Sequence, residues 1–527
     1  MKADRLERMV TRGTMDRREL VIGAGLVATA ALAPFPAAAQ DADEGEPVSG
    51  GTLKIGVQGD PTELDPHLST LNAAQVATDM VYEGLVQEGP DLLPQAALAE
   101  SWEISDDGLT LTFKIRQGVL FHNGREMTAD DVVYTFDRVR NPDTASPYVT
   151  YLEDLDTVEA TDAATVVFTL TEANASFLQG LCRRGFVIVP QEAVEAEGGL
   201  SQTMVGTGPF KFIEYVPNTA VTYERNPDYW NAPKPYVDEL ELQIIPDDTA
   251  RTTALVSGTV DVIEQAPHKD YEIIEQSDGV RLEGGTTTNL RWFVFNTRRE
   301  PFDRPEIRQA IASGIQRQPI IDAAVFGHGD PLLGIFPETF WFGYPELPGD
   351  GDPEAATATL QELGWPSDQV IGLLTWAQYS YLSNTSVVVQ EQLRQMGIES
   401  EIEQEENAIY IARYYDYDFD IAVMGSVGYQ DPNDMVQQSF GSDEPNNTAG
   451  YSSPEMDQLI ADGLATQDQE ARAEIYRKIQ DMVVQDAPWV NLFTSRGNEG
   501  VGDRVKGWTH YLSQSMRGAR DAWIDES

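Results

Sequence analysis

A chain of 527 residues with 41% hydrophobic side chains and 30 prolines is globular in composition and too long for one core, so two to four domains are expected. Its formal charge of −50, from 86 acidic and 36 basic side chains, excludes nucleic acid and anionic lipid headgroups as partners by repulsion. Its single cysteine, Cys182, excludes an intramolecular disulfide and any cysteine-held zinc or iron–sulfur centre.

The first segment reads as an address. An apolar run over 22–33 follows Arg17 and Arg18, and Ala37, Ala38 and Ala39 precede Gln40, the pattern of a cleavable export signal over 1–39. The run is about a dozen residues, short of the roughly 20 that span a bilayer. The arginine pair followed by Leu20 points to the twin-arginine route, with an ordinary secretory signal as the alternative.

Beyond an acidic leader, Leu53, Ile55 and Val57 alternate with polar or small neighbours in a first strand. It runs into the turn residues Gly59, Asp60, Pro61, Asp65 and Pro66, a strand-end loop of the kind that lines clefts. Short strands at 110–115, 165–170 and 186–189 surround a helix that starts at a capping box, Thr128 to Asp131, and carries Val132, Val133, Phe136 and Val139 on one face. That is a small α+β insert. Strands return at 221–225, 239–245 and 291–296.

After Pro301 the rhythm alternates. Helices are expected at 303–315, 354–363 and 384–396, with strands at 370–375, 399–403 and 419–424, which implies crossover connections and a largely parallel sheet. A helix over 472–484 precedes a strand at 489–493 that is expected to rejoin the first lobe.

Several segments carry a resemblance. Ala99 to Trp102, Asp106 to Thr110, Phe121 to Gly124, Thr128 to Val133, Gly206 to Phe210, Glu224 to Trp230, Ser257 with Gly258, Val260 with Asp261, and Asn296 with Pro301 and Phe302 together resemble the family-5 extracellular solute-binding proteins, the periplasmic components of peptide, opine and nickel ABC importers. The likeness runs from about 51 to 510. It implies an α/β fold of the two-lobed, type II periplasmic binding class with an extra α+β subdomain on lobe 1.

On that pattern lobe 1 comprises 51–98 and 206–300, the subdomain 99–205 and lobe 2 301–488, and residues 489–527 return to lobe 1. The implied protein is a periplasmic monomer that closes over a small solute and delivers it to permease subunits with cytoplasmic ATPases. No enzymatic activity and no cofactor are expected. The chain has no Gly-x-Ser-x-Gly elbow, His-Glu-x-x-His or Walker loop. Its histidines, His67, His122, His268, His328 and His510, stand too far apart in sequence for a local metal motif.

The ligand is expected in the cleft between lobes, at strand-end loops. Candidates are Thr62 and Glu63 from lobe 1, Trp292 from a lobe-crossing strand, Trp376, Tyr379 and Tyr381 after strand 370–375, and Gly425, Ser426, Gly428, Tyr429 and Asp431 after strand 419–424. In peptide-binding members of the family an aspartate about three residues before the Asp-Pro of this last loop holds the ligand ammonium. Gly428 stands there in this sequence, and 370–384 contains no Arg or Lys to pair with a peptide carboxylate. A standard dipeptide is therefore not expected, and a peptide or peptide-like solute stands as the expectation that the resemblance implies. The alternatives are an opine, an oligosaccharide or a cation held against ring faces, or an importer-independent scavenging or holding role.

Overall fold

Two long strands, Val280–Phe295 and Trp489–Gly502, pair antiparallel from Val280 opposite Gly502 to Val294 opposite Trp489. They form the spine of an 11-stranded sheet. The structure is a computed structural model that describes residues 45–525 except 197, 348, 367, 427, 428 and 430. Residues 46–527 form one contact unit, and of the other unit, 1–45, only Gly45 is described. The proposed export signal lies outside the described residues. Among these no helix is long and apolar enough to cross a membrane.

The spine serves both lobes. The later half of Trp489–Gly502 pairs with Val262–Ile263, which leads through the parallel strands Thr52–Val57 and Glu239–Ile244 to the antiparallel Ala220–Arg225 and Phe210–Val216. The later half of Val280–Phe295 pairs with Ile421–Ser426, which continues in parallel to Val370–Trp376 and on to Glu399–Glu405. Register shifts between Thr286 and Leu290 and between Arg291 and Trp292 fall where the strands pass from one lobe to the other. There the ladder is locally broken and bends.

The reason for the change of partners lies in the side chains. Leu290 to Phe295 are all buried, a strand covered on both faces, whereas Val280 to Gly285 are only partly so. The sequence reading found only the apolar ends, 291–296 and 489–493. The polar and glycine-rich remainder is strand because the two segments pair with each other, from Val280 opposite Gly502 to Thr286 opposite Arg496.

The insert is a four-stranded antiparallel sheet, in the order Ala99–Ile104, Thr110–Ile115, Thr165–Leu170, Leu155–Asp162, packed on helix Ala129–Arg140. Phe113, Phe136, Phe168, Phe177 and Phe186 fill its separate core. The Thr128–Asp131 capping box is present. Segment 186–189, expected as a strand, is instead a 3₁₀ turn, Arg184–Phe186, followed by extended chain with a single bridge from Val187 to Gly84. Its carbonyl at Val187 is taken by His67 and its amide at Val189 by Thr135, so no ladder continues.

Two histidines, the buried His67 and the half-buried His122, bind the insert to lobe 1. His67 Nε2 donates to the Val187 carbonyl at 3.0 Å while Nδ1 accepts from Arg138 at 2.6 Å. Arg138 also holds Asp65 through both oxygens, at 3.1 and 2.6 Å. His122 Nε2 donates to the Gly208 carbonyl at 2.9 Å. Gly206 is glycine because a Cβ there would come within 2.2 Å of the Val81 carbonyl oxygen.

Burial, helped by the repulsion of Arg138 and opposed by Asp65, pushes His67 down to about 4. Burial likewise brings His122 to about 4. Both values lie below the roughly 6.5 of an unfolded chain, so the unfolded state takes up the protons. The stability the neutral rings supply is complete above about pH 6.5 and is lost as pH falls toward 4, by at most about 1.4 kcal/mol per pH unit for each ring. Urea denaturation between pH 7 and 4.5 is expected to show that decline, and His122→Gln to flatten part of it.

Candidate functional site

Where the spine strands bend, a cavity of about 960 Å³ lies between the lobes. That is the upper end of the ~300–1,000 Å³ usual for small-molecule sites. Lobe 1 contributes Gln58, Asn72, Gln75 and Arg251, the insert Tyr148, Tyr151 and Arg183, the spine Asn289, Arg291 and Arg496, and lobe 2 Tyr379, Tyr381, Asn384, Ser426 and Tyr429.

The lobe 2 wall is aromatic for a reason that begins in its core. Phe419, Tyr414, Tyr410 and Trp376 stack in succession, with ring centres 5.6, 5.7 and 4.9 Å apart. The column ends on Tyr379, edge-on to Trp376 at 5.1 Å, and Tyr381 lies 5.5 Å further on. The core therefore sets the position of the two tyrosines that reach the cavity. The Arg291 guanidinium lies 4.2 Å over the Tyr381 ring. Gly425, opposite Arg291 in the ladder, lets it pass: a Cβ there would stand 2.7 Å from Arg291 Cδ.

The wall is basic. Arg183, Arg184, Arg251, Lys269, Arg291 and Arg496 face it, against Asp248 and Asp434, in a chain of formal charge −50. This sign is opposite to what a cation held on ring faces needs. The positive side chains come from separate segments, which is why the absence of Arg and Lys from 370–384 did not foretell it.

Contacts cross the cleft mouth as well. Arg183 of the insert pairs with Asp434 of helix Pro432–Phe440 in lobe 2 and lies 3.9 Å over the Tyr151 ring. Burial, against the pull of Arg183, brings the Asp434 carboxyl up to about 6. Ser176 Oγ of the insert donates to Asp431 at 2.8 Å and accepts from Arg472 at 3.0 Å, and the Ala175 amide donates to the Leu464 carbonyl at 2.8 Å. These bonds join the insert directly to lobe 2.

Of the residues singled out from sequence, Tyr379, Tyr381, Ser426 and Tyr429 line the cavity. Thr62 and Glu63 are not among its lining residues: the Glu63 carboxylate accepts from the Leu64 and Asp65 amides at 2.9 and 2.8 Å and holds its own turn. Trp292 is buried and stacks on Trp489 at 4.4 Å. Trp376 belongs to the aromatic column, and Gly425 clears space for Arg291. Asp431 caps helix Pro432–Phe440 through the Asn433 amide at 2.9 Å and is buried against Arg472 at 3.0 Å. Gly428 lies outside the described residues.

Sequence reasoning missed Arg183, Arg291 and Arg496. For Arg291 there was a signal: an arginine inside an apolar strand, Leu290 to Phe295. Among the described residues no group of three His, Cys, Asp or Glu is placed to hold a metal ion.

A spine shared by two α/β lobes, an extra subdomain and a cavity between the lobes define a two-lobed solute-binding protein of the type II periplasmic class. The chain belongs to the bacterial extracellular solute-binding proteins, family 5, whose model for the middle region matches residues 94–447. It is 31% identical over 466 residues to heme-binding protein A of Haemophilus influenzae, covering 82% of this chain and 85% of that one. It is 28% identical over 527 residues to the glutathione-binding protein GsiB of Pectobacterium atrosepticum, covering 97% and 99%. The crystal structure of the ABC transporter substrate-binding protein CtaP of Listeria monocytogenes superposes with a TM-score of 0.81 at 26% identity, over 91% of this chain and all of that one.

Asp431 is 3% exposed and its partner Arg472 5%, so each depends on the other to offset desolvation. Arg472→Met is expected to destabilise the protein by about 3–5 kcal/mol in denaturant titrations. Asp434→Asn, at a pair reached from the cleft mouth, is expected to cost less in stability.

Proposed function

We propose that this chain is the solute-capturing component of an ABC importer and that its ligand is a small peptide-like molecule carrying at least one carboxylate. The observation that carries the reading is the cavity of about 960 Å³ walled by both lobes and rich in arginine. Heme and glutathione, named for two of its relatives, share carboxylate groups, and a basic wall complements them by charge-assisted hydrogen bonds. A free ammonium has no evident partner in the wall beyond Asp248 and Asp434, so recognition rests on the acidic end of the solute.

Capture then works by closure. The bend in the spine lets the lobes part, and the Arg183–Asp434 pair and the Ser176–Asp431–Arg472 network form when they meet. A permease that reads this closed form receives loaded protein only. The chain acts as an exported monomer without catalysis. Export by the twin-arginine route with cleavage near Ala39 belongs to the same reading, and N-terminal sequencing of secreted protein checks it.

The decisive measurement is a thermal-shift screen of short peptides, glutathione, disaccharides and polyamines, followed by X-ray scattering with the best binder. A peptide or glutathione is expected to raise the melting temperature, with about 2.7 kcal/mol of stabilisation at a concentration 100 times Kd, and to lower the radius of gyration. Stabilisation by polyamines or sugars alone overturns the ligand class. A binder that leaves the radius of gyration unchanged overturns closure.

A further inference from the structure

Arg291 differs from the other arginines around the cavity. Arg183 has Asp434, Arg184 has Asp79 at 3.3 Å, Arg251 has Asp248 at 2.8 Å and Arg496 has Asp330 at 2.7 Å. Arg291 has no carboxylate partner among the described residues, although it is only 6% exposed. Its hydrogen bonds use Nη1 alone, to the carbonyls of Leu290 at 2.8 Å and Ser426 at 3.3 Å. Buried Nε has no acceptor. Nη2 makes no hydrogen bond to the described residues and is the donor left for a carboxylate oxygen.

A buried cation without a counter-charge is costly to hold. The fold nevertheless makes room for it with Gly425 and lays it across Tyr381, where the ring face attracts the charge.

A second positive feature opens on the same cavity. Helix Ser380–Gln395 begins at Tyr379 with no side-chain cap, and its first residues, Ser380 and Tyr381, line the cavity. Of its first-turn amides, that of Leu382 is taken by the Tyr379 carbonyl at 3.0 Å, which leaves those of Ser380 and Tyr381 without a partner in the helix, and the helix dipole adds partial positive charge. An uncapped start beside an unpaired buried guanidinium is complementary to one anion shared between them.

We propose that Arg291, the Tyr381 ring and the Ser380 and Tyr381 amides at the start of helix Ser380–Gln395 form the recognition point for a ligand carboxylate, so that the solute lies with its acid end toward lobe 2. The proposal rests on the reading of the cavity as the ligand site and adds which side chain selects the ligand and how the ligand is oriented.

The test compares the full-length mature protein with Arg291→Met and Arg291→Lys. One arm titrates trialanine and its C-terminal amide by calorimetry. Wild type is expected to prefer the acid by on the order of 10- to 100-fold, the effect of a charge-assisted hydrogen-bonded pair. Arg291→Met is expected to bind both forms alike, and Arg291→Lys to keep part of the preference, which a mere packing defect does not allow. Equal binding of acid and amide by wild type, or a preference retained in Arg291→Met, overturns the proposal.

The other arm follows melting temperature against sodium acetate and sodium phosphate at fixed ionic strength. A rise with acetate in wild type that disappears in Arg291→Met supports the site. The same rise in both proteins overturns it, and a rise with phosphate alone overturns the carboxylate. If neither form of trialanine binds wild type, the peptide-like ligand falls, and the acetate arm alone decides the role of Arg291.

Discussion

The antiparallel pairing of Val280–Phe295 with Trp489–Gly502 is the constraint on which the rest depends. Strand sequences more than 190 residues apart must meet before either lobe can complete its sheet, because each lobe borrows one half of both strands. Chain crossings at one line leave the two bodies hinged by a few residues. They also place Asn289, Arg291 and Arg496, which lie near those crossings, on the wall of whatever space opens there. The strand crossings and the cavity between the lobes are therefore one feature of the topology.

The electrostatics follow a division of labour. A surface dominated by acidic side chains keeps the protein soluble and separates copies from one another. In the cleft the balance is reversed, and most of its arginines are already paired with carboxylates that position them. Pairing at ion-pair distance removes much of their attraction for a solute. An arginine without such a partner has far more to gain from an incoming anion, so distinguishing paired from unpaired cations says more about recognition than counting them.

Closure draws on a different chemistry from recognition. The Ser176, Asp431 and Arg472 group is buried where insert and lobe 2 meet, and it demands complete hydrogen bonding, since a half-satisfied buried network is worse than an apolar contact. On the proposed closure it is the contact that forms when insert and lobe 2 meet. The aromatic column from Phe419 to Tyr381 is the rigid counterpart: it carries the lobe 2 wall as a block.

Local signals in the sequence determined much of this. Alternating apolar residues marked Thr52–Val57 and Thr110–Ile115, the Thr128–Asp131 box marked a helix start, and the β and α alternation after Pro301 marked lobe 2, because period, capping and turn chemistry act between residues close in the chain. Ordered motifs marked the family. Tyr379, Tyr381, Ser426 and Tyr429 were legible as strand-end residues for the same reason.

Only the tertiary structure decided the remainder. The polar halves of the two spine strands have no periodic signature and become strands only by pairing with each other. Trp292 and Asp431 looked like ligand contacts, but packing against Trp489 and Arg472 takes them out of the cavity. The basic character of the cleft, and the isolation of Arg291 within it, come from segments that meet only when both lobes are folded. Charge complementarity depends on distance in space and has no counterpart in the order of residues.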